Sequence, residues 1–213
     1  MVTETELYNA LKTVKIIDNR KWNGNRMTKR DGATTGIHRK NLAYRNGPCE
    51  SGVFGMTANP QSSWKPRPSK LTNDYPEVYD VIERYMKERL PDFVFESVTV
   101  NHNLRCRKHK DSRNSTLSLI TSVGEFTGGE LNIQHPETGV KKTFDTHGKW
   151  VIYDGSKFEH WNNPIKGDKY SLVFYSRWSS LGKDQKKRIL EKLTGGSEKF
   201  RLLEPGYLST ILD

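Results

Sequence analysis

The sequence predicts a mainly β protein with flanking helices, whose core is an antiparallel sandwich or barrel. Five segments between residues 92 and 178 have the period-two alternation of short strands and are bounded by Gly, Pro or Asn. No helical pattern separates these segments, so the strands are expected to pair antiparallel, without crossover helices. Helical spacing of apolar residues is found instead before residue 92 and after residue 178.

The first element along the chain is a helix predicted over residues 4–14. Thr3 and Glu6 have the spacing of a capping box, in which each side chain accepts a hydrogen bond from the other residue's backbone. Leu7 and Leu11 follow four residues apart, which places them on one face of a helix. Both signals together predict the helix.

Residues 18–73 look irregular, with many Gly, Asn and Pro and with basic and aromatic residues interleaved. A structureless stretch of this length is unusual in a compact domain, so it is either a functional lid or contains strands that the pattern does not resolve. The next helix is the clearest in the sequence. Asp74 and Pro76 are its start signals, and Pro91 is its stop signal.

The predicted strands after this helix lie in FVFESVTVN, STLSLITSV, GELNIQ, KWVIYDG and KYSLVFYSRW. A last helix is predicted in KDQKKRILEKL and ends at Gly195–Gly196. We therefore expect a single domain over residues 1–213. Its parts are a helical and loop-rich N-terminal part (1–91), a β core (92–178) and a C-terminal helix with a tail (179–213).

The composition indicates the class of partner. Lys and Arg number 35 against 25 Asp and Glu, a net charge of +10, which favours nucleic acid first and an anionic membrane surface second. The chain has no apolar run of about 18 residues and no signal-peptide pattern. Two cysteines, Cys49 and Cys106, are too few for a disulfide framework or a zinc site. We expect a monomeric intracellular protein that does not span a membrane.

The stretch CRKHKDSRN places His109 and Asp111 two residues apart, between one predicted strand and the next. Strand ends and turns are where a scaffold presents functional side chains, and period-two geometry directs residues 109 and 111 to the same side. A third ligand should come from a distant strand, and His160 in DGSKFEHWNNP is the best candidate. Two His and one carboxylate form the facial triad of non-haem Fe(II) oxygenases.

Other interpretations of these residues stay open. His147 is an alternative third ligand, although it precedes a strand. Lys169 and Ser171 supply the cation and the hydroxyl that a dicarboxylate cosubstrate needs at its far carboxylate, but Lys169 also fits a solvated lysine at a sheet edge. Asp111 also fits a plain surface ion pair with one of its neighbouring cations. These are Arg105, Arg107, Lys108, Lys110 and Arg113.

The order of these signals is similar to that of the 2-oxoglutarate- and Fe(II)-dependent oxygenases. The resemblance lies in HKD … GGEL … YDG … H … P-I-x-G-x-K-Y-S-L and covers roughly residues 95–178. It implies a double-stranded β-helix, or jelly roll, in which His109, Asp111 and His160 hold Fe(II). It also implies 2-oxoglutarate and O₂ as cosubstrates and hydroxylation of a C–H bond, with release of succinate and CO₂.

Two branches of that superfamily look most similar. GDKYSL and the GGEL turn resemble the prolyl-4-hydroxylase-like enzymes. VNHN ahead of HKDSRN, with Asn114 three residues past Asp111, looks more like the TET and J-binding-protein branch, which oxidises the methyl group of thymine or 5-methylcytosine. The chain departs from the usual family pattern at Lys169, where Arg is common, although collagen-type prolyl hydroxylases use Lys. This replacement keeps the charge and weakens a bidentate grip.

The resemblance also implies roles for other residues. Lys169 and Ser171 would bind the distal carboxylate of 2-oxoglutarate, and Asn101 would contact the cosubstrate. Asn114 would contact the target base, and its alternative role is an Asx turn. The cations beside the triad, among them Arg107 and Lys108, would lie along a phosphate backbone. A base must leave the duplex to reach buried iron. The candidates to stack on it are Trp22, Tyr44, Trp64 and Trp178.

The substrate expected from these signals is a 5-methylpyrimidine in nucleic acid, with DNA favoured. Two other classes of function remain open. One is a protein or amino-acid hydroxylase of the prolyl type, for which the basic charge serves solubility or an acidic substrate. The other is a non-catalytic binding module on a jelly-roll scaffold, against which the complete triad and Lys169 argue.

Overall fold

The computed structural model describes most of the β core and the N-terminal helices. The described residues are 1–16, 43–44, 50–57, 65–91, 93–106, 108–111, 114, 117–177 and 209–212, with the backbone alone at 43–44, 50 and 209–212. The C-terminal helix predicted over 183–193 lies outside the described residues.

Three helices flank the β core within the described residues. In α1 (Glu4–Thr13) the predicted capping box is present, because the Thr3 side chain accepts from the Glu6 backbone and the Glu6 side chain accepts from the Thr3 backbone. A short helix, α2 (Lys70–Asp74), precedes α3 (Pro76–Lys87). The start of α3 at Pro76 is as predicted. The helix ends at Lys87, and a turn at residues 88–89 leads to Pro91, the predicted stop signal.

Twelve strands occur among the described residues. They are β1 (Ala43–Tyr44), β2 (Glu50–Thr57), β3 (Arg67–Pro68), β4 (Ser97–His102), β5 (Arg105–Cys106), β6 (Ser118–Gly128), β7 (Leu131–Gln134), β8 (Lys141–Phe144), β9 (Trp150–Tyr153), β10 (Glu159–Asn162), β11 (Ile165–Tyr175) and β12 (Ser209–Leu212). The five predicted strands correspond to β4, β6, β7, β9 and β11. Strands β1, β2 and β3 lie within residues 18–73, so the described part of that stretch contains strands, one of the two alternatives that the sequence leaves open.

The strands form two main sheets. The larger has seven strands in the order β12-β9-β6-β11-β4-β2-β3, and the smaller has three in the order β10-β7-β8. A third, two-stranded sheet pairs β1 with β5, and every pairing between named strands is antiparallel. The mainly β class with flanking helices is thus confirmed, and its arrangement is consistent with a jelly roll.

The seven-stranded sheet has two chemically different faces because side chains alternate along a strand. On one face, Tyr170, Leu172 and Phe174 of β11 join the core formed with the three helices. The same core takes Val98 and Val100 from β4, all of them buried. This face is closed by the helices.

The opposite face of β11 points toward the three-stranded sheet. Lys169, Ser171, Val173 and Tyr175 all line one cavity on this side. A second, smaller apolar cluster lies there. Its buried members are Ile120, Leu131, Ile133, Phe144, Val151, Tyr153 and Phe158.

The N-terminal helix is tied to the sheet by a polar contact beside the cavity strand. The Tyr8 hydroxyl donates to Asp168 Oδ2 at 2.6 Å, and His102 Nε2 lies 2.5 Å from Asp168 Oδ1. The His102 ring stacks on Tyr170 with centroids 4.3 Å apart. Asp168 directly precedes Lys169, so this cluster fixes the backbone where the cavity lysine begins. None of the described helices has the length and apolarity needed to cross a membrane.

Candidate metal centre

The cavity between the two main sheets has a volume of about 220 Å³. All residues that the sequence predicts to bind metal or cosubstrate line this cavity. One residue predicted to contact the substrate lines it as well. They are His109, Asp111, His160, Asn101, Lys169, Ser171 and Asn114.

A pair of backbone hydrogen bonds places the two candidate histidines side by side. The His109 N–H donates to the His160 carbonyl at 3.0 Å, and the His160 N–H donates to the His109 carbonyl at 2.9 Å. Directly opposed residues of an antiparallel pair have side chains on the same face. The two imidazole centroids are therefore only 4.2 Å apart.

Asp111 completes the group from the same loop as His109. Its Oδ1 lies 3.7 Å from His109 Nε2, and its Oδ2 lies 3.8 Å from His160 Nε2. One donor atom from each of the three residues lies within 4.8 Å of the others. The backbone N–H of Asp111 donates to the Gly155 carbonyl at 2.7 Å. A Cβ at Gly155 would lie 2.8 Å from Asp111 Oδ2, so the carboxylate occupies space that only glycine leaves free.

The protonation of His160 suits a ligand. A backbone carbonyl can only accept, so the 3.1 Å contact between His160 Nδ1 and the Phe158 carbonyl places the proton on Nδ1. Burial lowers the pKa of His160, an effect that the charge of Asp111 opposes. The ring is therefore neutral near pH 7, and Nε2 presents its lone pair toward Asp111.

Asn114 has a partner that the sequence did not indicate. Its Nδ2 donates to Asp111 Oδ2 at 3.1 Å and to Ser118 Oγ at 3.2 Å. The amide thus holds the carboxylate against the start of β6. Whether Asn114 also contacts a substrate base stays a prediction.

Lys169 is 2% exposed and lies at the cavity wall. Its Nζ donates to the Gly129 carbonyl and, at 3.4 Å, to Thr146 Oγ1, and it lies 5.0 Å from the Phe126 ring centroid. Burial lowers the pKa of Lys169 to about 8. The alternative of a solvated edge lysine is wrong, because β11 is an interior strand and the ammonium is buried.

The hydroxyl predicted beside Lys169 is connected to it. Ser122 Oγ lies 2.9 Å from Thr146 Oγ1 and donates to Ser171 Oγ at 3.3 Å. Ser171 therefore shares a line of hydroxyls with the ammonium. Asn101 is the register partner of Ser171 across the β4–β11 pair and lines the same cavity.

Other sequence candidates lie elsewhere. His147 packs on Phe126, with centroids 4.3 Å apart, and is not part of the three-residue group. Lys108 pairs with Glu159 at 2.9 Å. Six residues that the sequence predicts to contact phosphates or stack on a base have no described side chains. They are Arg107, Arg113, Trp22, Tyr44, Trp64 and Trp178.

Three contributors to the cavity were missed in the sequence. Tyr153 is buried, and its ring meets His160 edge-on with centroids 5.0 Å apart. Asn162 fastens β5 to β10, accepting from the Cys106 N–H at 2.6 Å and donating to the Leu104 carbonyl at 3.2 Å. Trp161 lines the cavity next to His160. The signal available for these residues was their position in the YDG and EHWN segments around the third ligand.

Comparison with known proteins finds no matching family model and no matching curated protein. Solved structures do match at low identity. One is a 2OG-Fe(II) oxygenase family oxidoreductase from Burkholderia pseudomallei, with 13% identity, coverage of 67% of this chain and 74% of that chain, and a TM-score of 0.45. Another is a prolyl-4-hydroxylase from Pseudomonas putida, with 13% identity, coverage of 72% and 87%, and a TM-score of 0.35.

A third match is NgTET1 in complex with 5mC DNA, with 13% identity, coverage of 81% of this chain and 76% of that chain, and a TM-score of 0.41. Assignment of a function rests on the side chains that line the cavity.

Proposed function

We propose that this chain is an Fe(II)- and 2-oxoglutarate-dependent dioxygenase that hydroxylates the methyl group of a 5-methylpyrimidine in nucleic acid, with DNA the favoured polymer. The observation that carries the reaction class is one cavity with two groups on its wall. His109, Asp111 and His160 bring their donor atoms within 4.8 Å of one another, and the buried ammonium of Lys169 lines the same space.

The donor set fits ferrous iron. Two imidazole nitrogens and one carboxylate oxygen are the protein ligands of non-haem Fe(II) oxygenases, and they leave other positions open. Iron held by His109, Asp111 and His160 would supply activation of O₂, with 2-oxoglutarate as the co-reductant that leaves as succinate and CO₂. The Phe158 carbonyl keeps the Nδ1 proton of His160 away from the metal side. Asn114 holds the carboxylate of Asp111 in place.

Lys169 and Ser171 suit the far carboxylate of 2-oxoglutarate. A buried ammonium without an anion is costly, which is why burial lowers the pKa of Lys169. A carboxylate beside it would form a charge-assisted hydrogen bond and stabilise the charged form. The hydroxyl line through Ser122 to Ser171 adds a second donor on the same wall.

The substrate is inferred from charge and from the residues near the triad. The net charge of +10 favours a polyanion, and Lys108 and Lys110 flank His109 directly. A target base would have to be single-stranded or flipped out of a duplex to enter the cavity. Asn114 lines that cavity. Because its amide nitrogen donates to Asp111 and Ser118, its amide oxygen is the atom that can accept a hydrogen bond from the polar edge of a pyrimidine.

The test is turnover by the full chain supplied with Fe(II), 2-oxoglutarate and oligonucleotides that contain 5-methylcytosine or thymine. Hydroxymethylated nucleosides, detected by mass spectrometry in proportion to succinate, are the expected product. RNA of the same sequence measures the preference for DNA, and Asp111→Ala serves as the inactive control. Succinate formation with no nucleic-acid product from any oligonucleotide would contradict the proposed substrate.

Binding gives an independent check of the polyanion. Affinity for DNA should fall steeply with salt concentration, because each phosphate contact releases counterions. Lys108→Ala should reduce the slope of that dependence by about one while leaving 2-oxoglutarate binding unchanged. Arg107, which the sequence groups with Lys108, lies outside the described residues.

A protein or amino-acid hydroxylase is the second candidate, and one observation favours it. Lys169 occupies the position at which the family resemblance associates Lys with prolyl-type enzymes. The same incubation with proline-containing peptides and free amino acids separates the two candidates. Hydroxylation of a peptide, with no binding to DNA or RNA at low salt, would establish this alternative.

A further inference from the structure

Trp161 is next to a candidate metal ligand in sequence and is not itself one of the three candidate ligands. Trp161 directly follows His160 in β10, is half-buried and lines the cavity. Successive residues of a strand direct their side chains to opposite faces. The indole therefore lies on the face of β10 opposite the His160 imidazole, and a group that it holds is separate from the group that reacts beside His160.

Two ammonium groups from separate parts of the chain lie over this ring. Lys108 Nζ is 5.3 Å and Lys141 Nζ is 5.5 Å from the Trp161 ring centroid. Lys108 belongs to the segment that carries His109, whereas Lys141 opens β8. Both distances are within the range of cation–π attraction. The fold thus brings two cations to one indole ring, on the residue that follows His160.

One acidic group is also present at this position. Glu159 Oε2 lies 2.9 Å from Lys108 Nζ, with the two side chains 37% and 43% exposed. An ion pair with both partners this exposed contributes little to stability and is screened by salt. Lys108 can therefore exchange Glu159 for a phosphate at small cost, and Lys141 adds a second positive charge.

We propose that Trp161, Lys108 and Lys141 form a stacking platform for the nucleotide adjacent to the target base in a single-stranded segment of nucleic acid. The inference rests on the proposed function for the identity of the reacting base. The flanking base stacks on the indole, and its phosphates lie against the two ammonium groups. A flat apolar ring bracketed by cations matches a nucleotide, which has a π face and a negative charge. An acidic peptide matches only the charges.

The first experiment measures binding of the full chain to a short single-stranded oligonucleotide with a central 5-methylcytosine, by fluorescence anisotropy. Trp161→Ala should weaken binding about tenfold, and Trp161→Phe should restore most of it, because any aromatic face stacks. Lys141→Ala should reduce the salt slope by about one. Lys166→Ala is the matched control. Lys166 is exposed and is not among the residues that line the cavity. Equal affinity of Trp161→Ala and the unmodified protein would overturn the proposal.

An abasic substitution tests which nucleotide the indole holds. Removing the base next to 5-methylcytosine should weaken binding by about the same factor as Trp161→Ala, and the two changes together should cost no more than either alone. A full additional loss in the double change would place the indole elsewhere and overturn the assignment. Competition by a polyglutamate peptide that exceeds competition by the oligonucleotide, and that depends on Trp161, would also overturn it.

Metal and cosubstrate binding separate this inference from the function on which it rests. Binding of Mn(II) and 2-oxoglutarate should be the same for Trp161→Ala and the unmodified protein. If the unmodified protein binds both small molecules but no oligonucleotide, the platform and the nucleic-acid substrate fail, and the oxygenase reaction class stands. If it binds the oligonucleotide through Trp161 but takes up no metal, the platform stands and the oxygenase proposal fails.

Discussion

The two faces of the seven-stranded sheet differ in chemistry, although the same strands supply both. On the helix side of β11, Leu172 and Phe174 are fully buried in an apolar core. On the cavity side, Lys169 and Ser171 present an ammonium and a hydroxyl to a common space. Because side chains alternate along a strand, neighbouring residues serve stability and chemistry in turn. The helix-side face therefore supplies packing, and the cavity-side face supplies polar groups of the candidate site.

The largest expected effect comes from removing a metal ligand on the cavity side. Asp111→Ala and His160→Ala should each abolish metal binding and turnover, since each removes one of three donors that lie within 4.8 Å of one another. Mn(II) binding, followed by electron paramagnetic resonance or calorimetry, is the measurement. His147→Ala is the matched control and should bind metal normally. Full activity of His160→Ala would show that another residue, His147 first, is the third ligand.

A large-to-small substitution in the helix-side core should destabilise the protein without changing the cavity wall. Phe174→Ala should lower the free energy of unfolding by about 3–5 kcal/mol, the usual cost of deleting a buried aromatic ring. Urea denaturation measures the loss. Mn(II) affinity of the folded fraction should stay the same, because Phe174 belongs to the helix-side core. A small stability change with lost metal binding would reverse the roles assigned to the two faces.

Replacing the buried cation Lys169 tests the chemistry of the cavity side separately from the packing of the helix side. Lys169→Met keeps a long, flexible side chain and removes the charge, so 2-oxoglutarate affinity should fall roughly tenfold to a hundredfold. The free energy of unfolding should be unchanged or higher, because the variant no longer buries a charged group. Calorimetric titration with 2-oxoglutarate and urea denaturation give the two values. Unchanged 2-oxoglutarate dependence would assign the carboxylate to another cation, with Arg177 at the cavity wall the next candidate.

The pKa of Lys169 makes both the 2-oxoglutarate affinity and the free energy of unfolding depend on pH. Its folded pKa is lowered from 10.5 to about 8, so between these values the unfolded chain binds more protons than the folded protein. Below pH 8 the buried ammonium of Lys169 lowers the free energy of unfolding by its full amount. This destabilisation decreases as pH rises from about 8 toward 10.5. Affinity for 2-oxoglutarate should decrease as pH rises above about 8, where the ammonium loses its proton. Both trends should be absent from Lys169→Met.

Asn114 tests whether the cavity side needs a positioning residue. Asn114→Ala should weaken metal binding by about tenfold to a hundredfold, the usual effect of removing a hydrogen bond to a ligand. Asn73→Ala, in the exposed part of α2, is the amide control. Normal metal affinity with low turnover on methylated DNA would instead assign Asn114 to the substrate base, as the sequence predicts.

The smallest effect is expected at the contact that joins α1 to the sheet. Tyr8→Phe removes the 2.6 Å hydrogen bond to Asp168 and should lower the free energy of unfolding by about 0.5–1.5 kcal/mol. The 2-oxoglutarate affinity, measured in parallel, reports whether this anchor also positions Lys169. An affinity loss as large as that of Lys169→Met would make Tyr8 part of the cosubstrate site.

The sequence by itself determined the local elements and the residue types of the site. The capping box at Thr3 and Glu6, the start of α3 at Pro76 and the strands on either side of His109 follow from short-range sterics and periodicity, which neighbouring residues encode. A histidine and an aspartate two residues apart and a distant histidine predicted the triad only together with the order of the surrounding signals, which resembles a known family. The strands β8 (KKTF) and β10 (EHWN) were missed because each contains only one strongly apolar residue, whereas the equally short β7 (LNIQ) and β9 (WVIY) are richer in apolar residues.

Only the tertiary structure decided which of these residues meet. The paired backbone hydrogen bonds between His109 and His160 join segments that are far apart in sequence. The same is true of the contact between Lys141 in β8 and Trp161 in β10, which lie on either side of β7 in the smaller sheet. The contact of Asn114 with Asp111 is close in sequence but depends on side-chain direction at the start of β6. Strand register sets the first two contacts and side-chain direction sets the third, and no local sequence pattern encodes either, because both depend on how the surrounding chain packs.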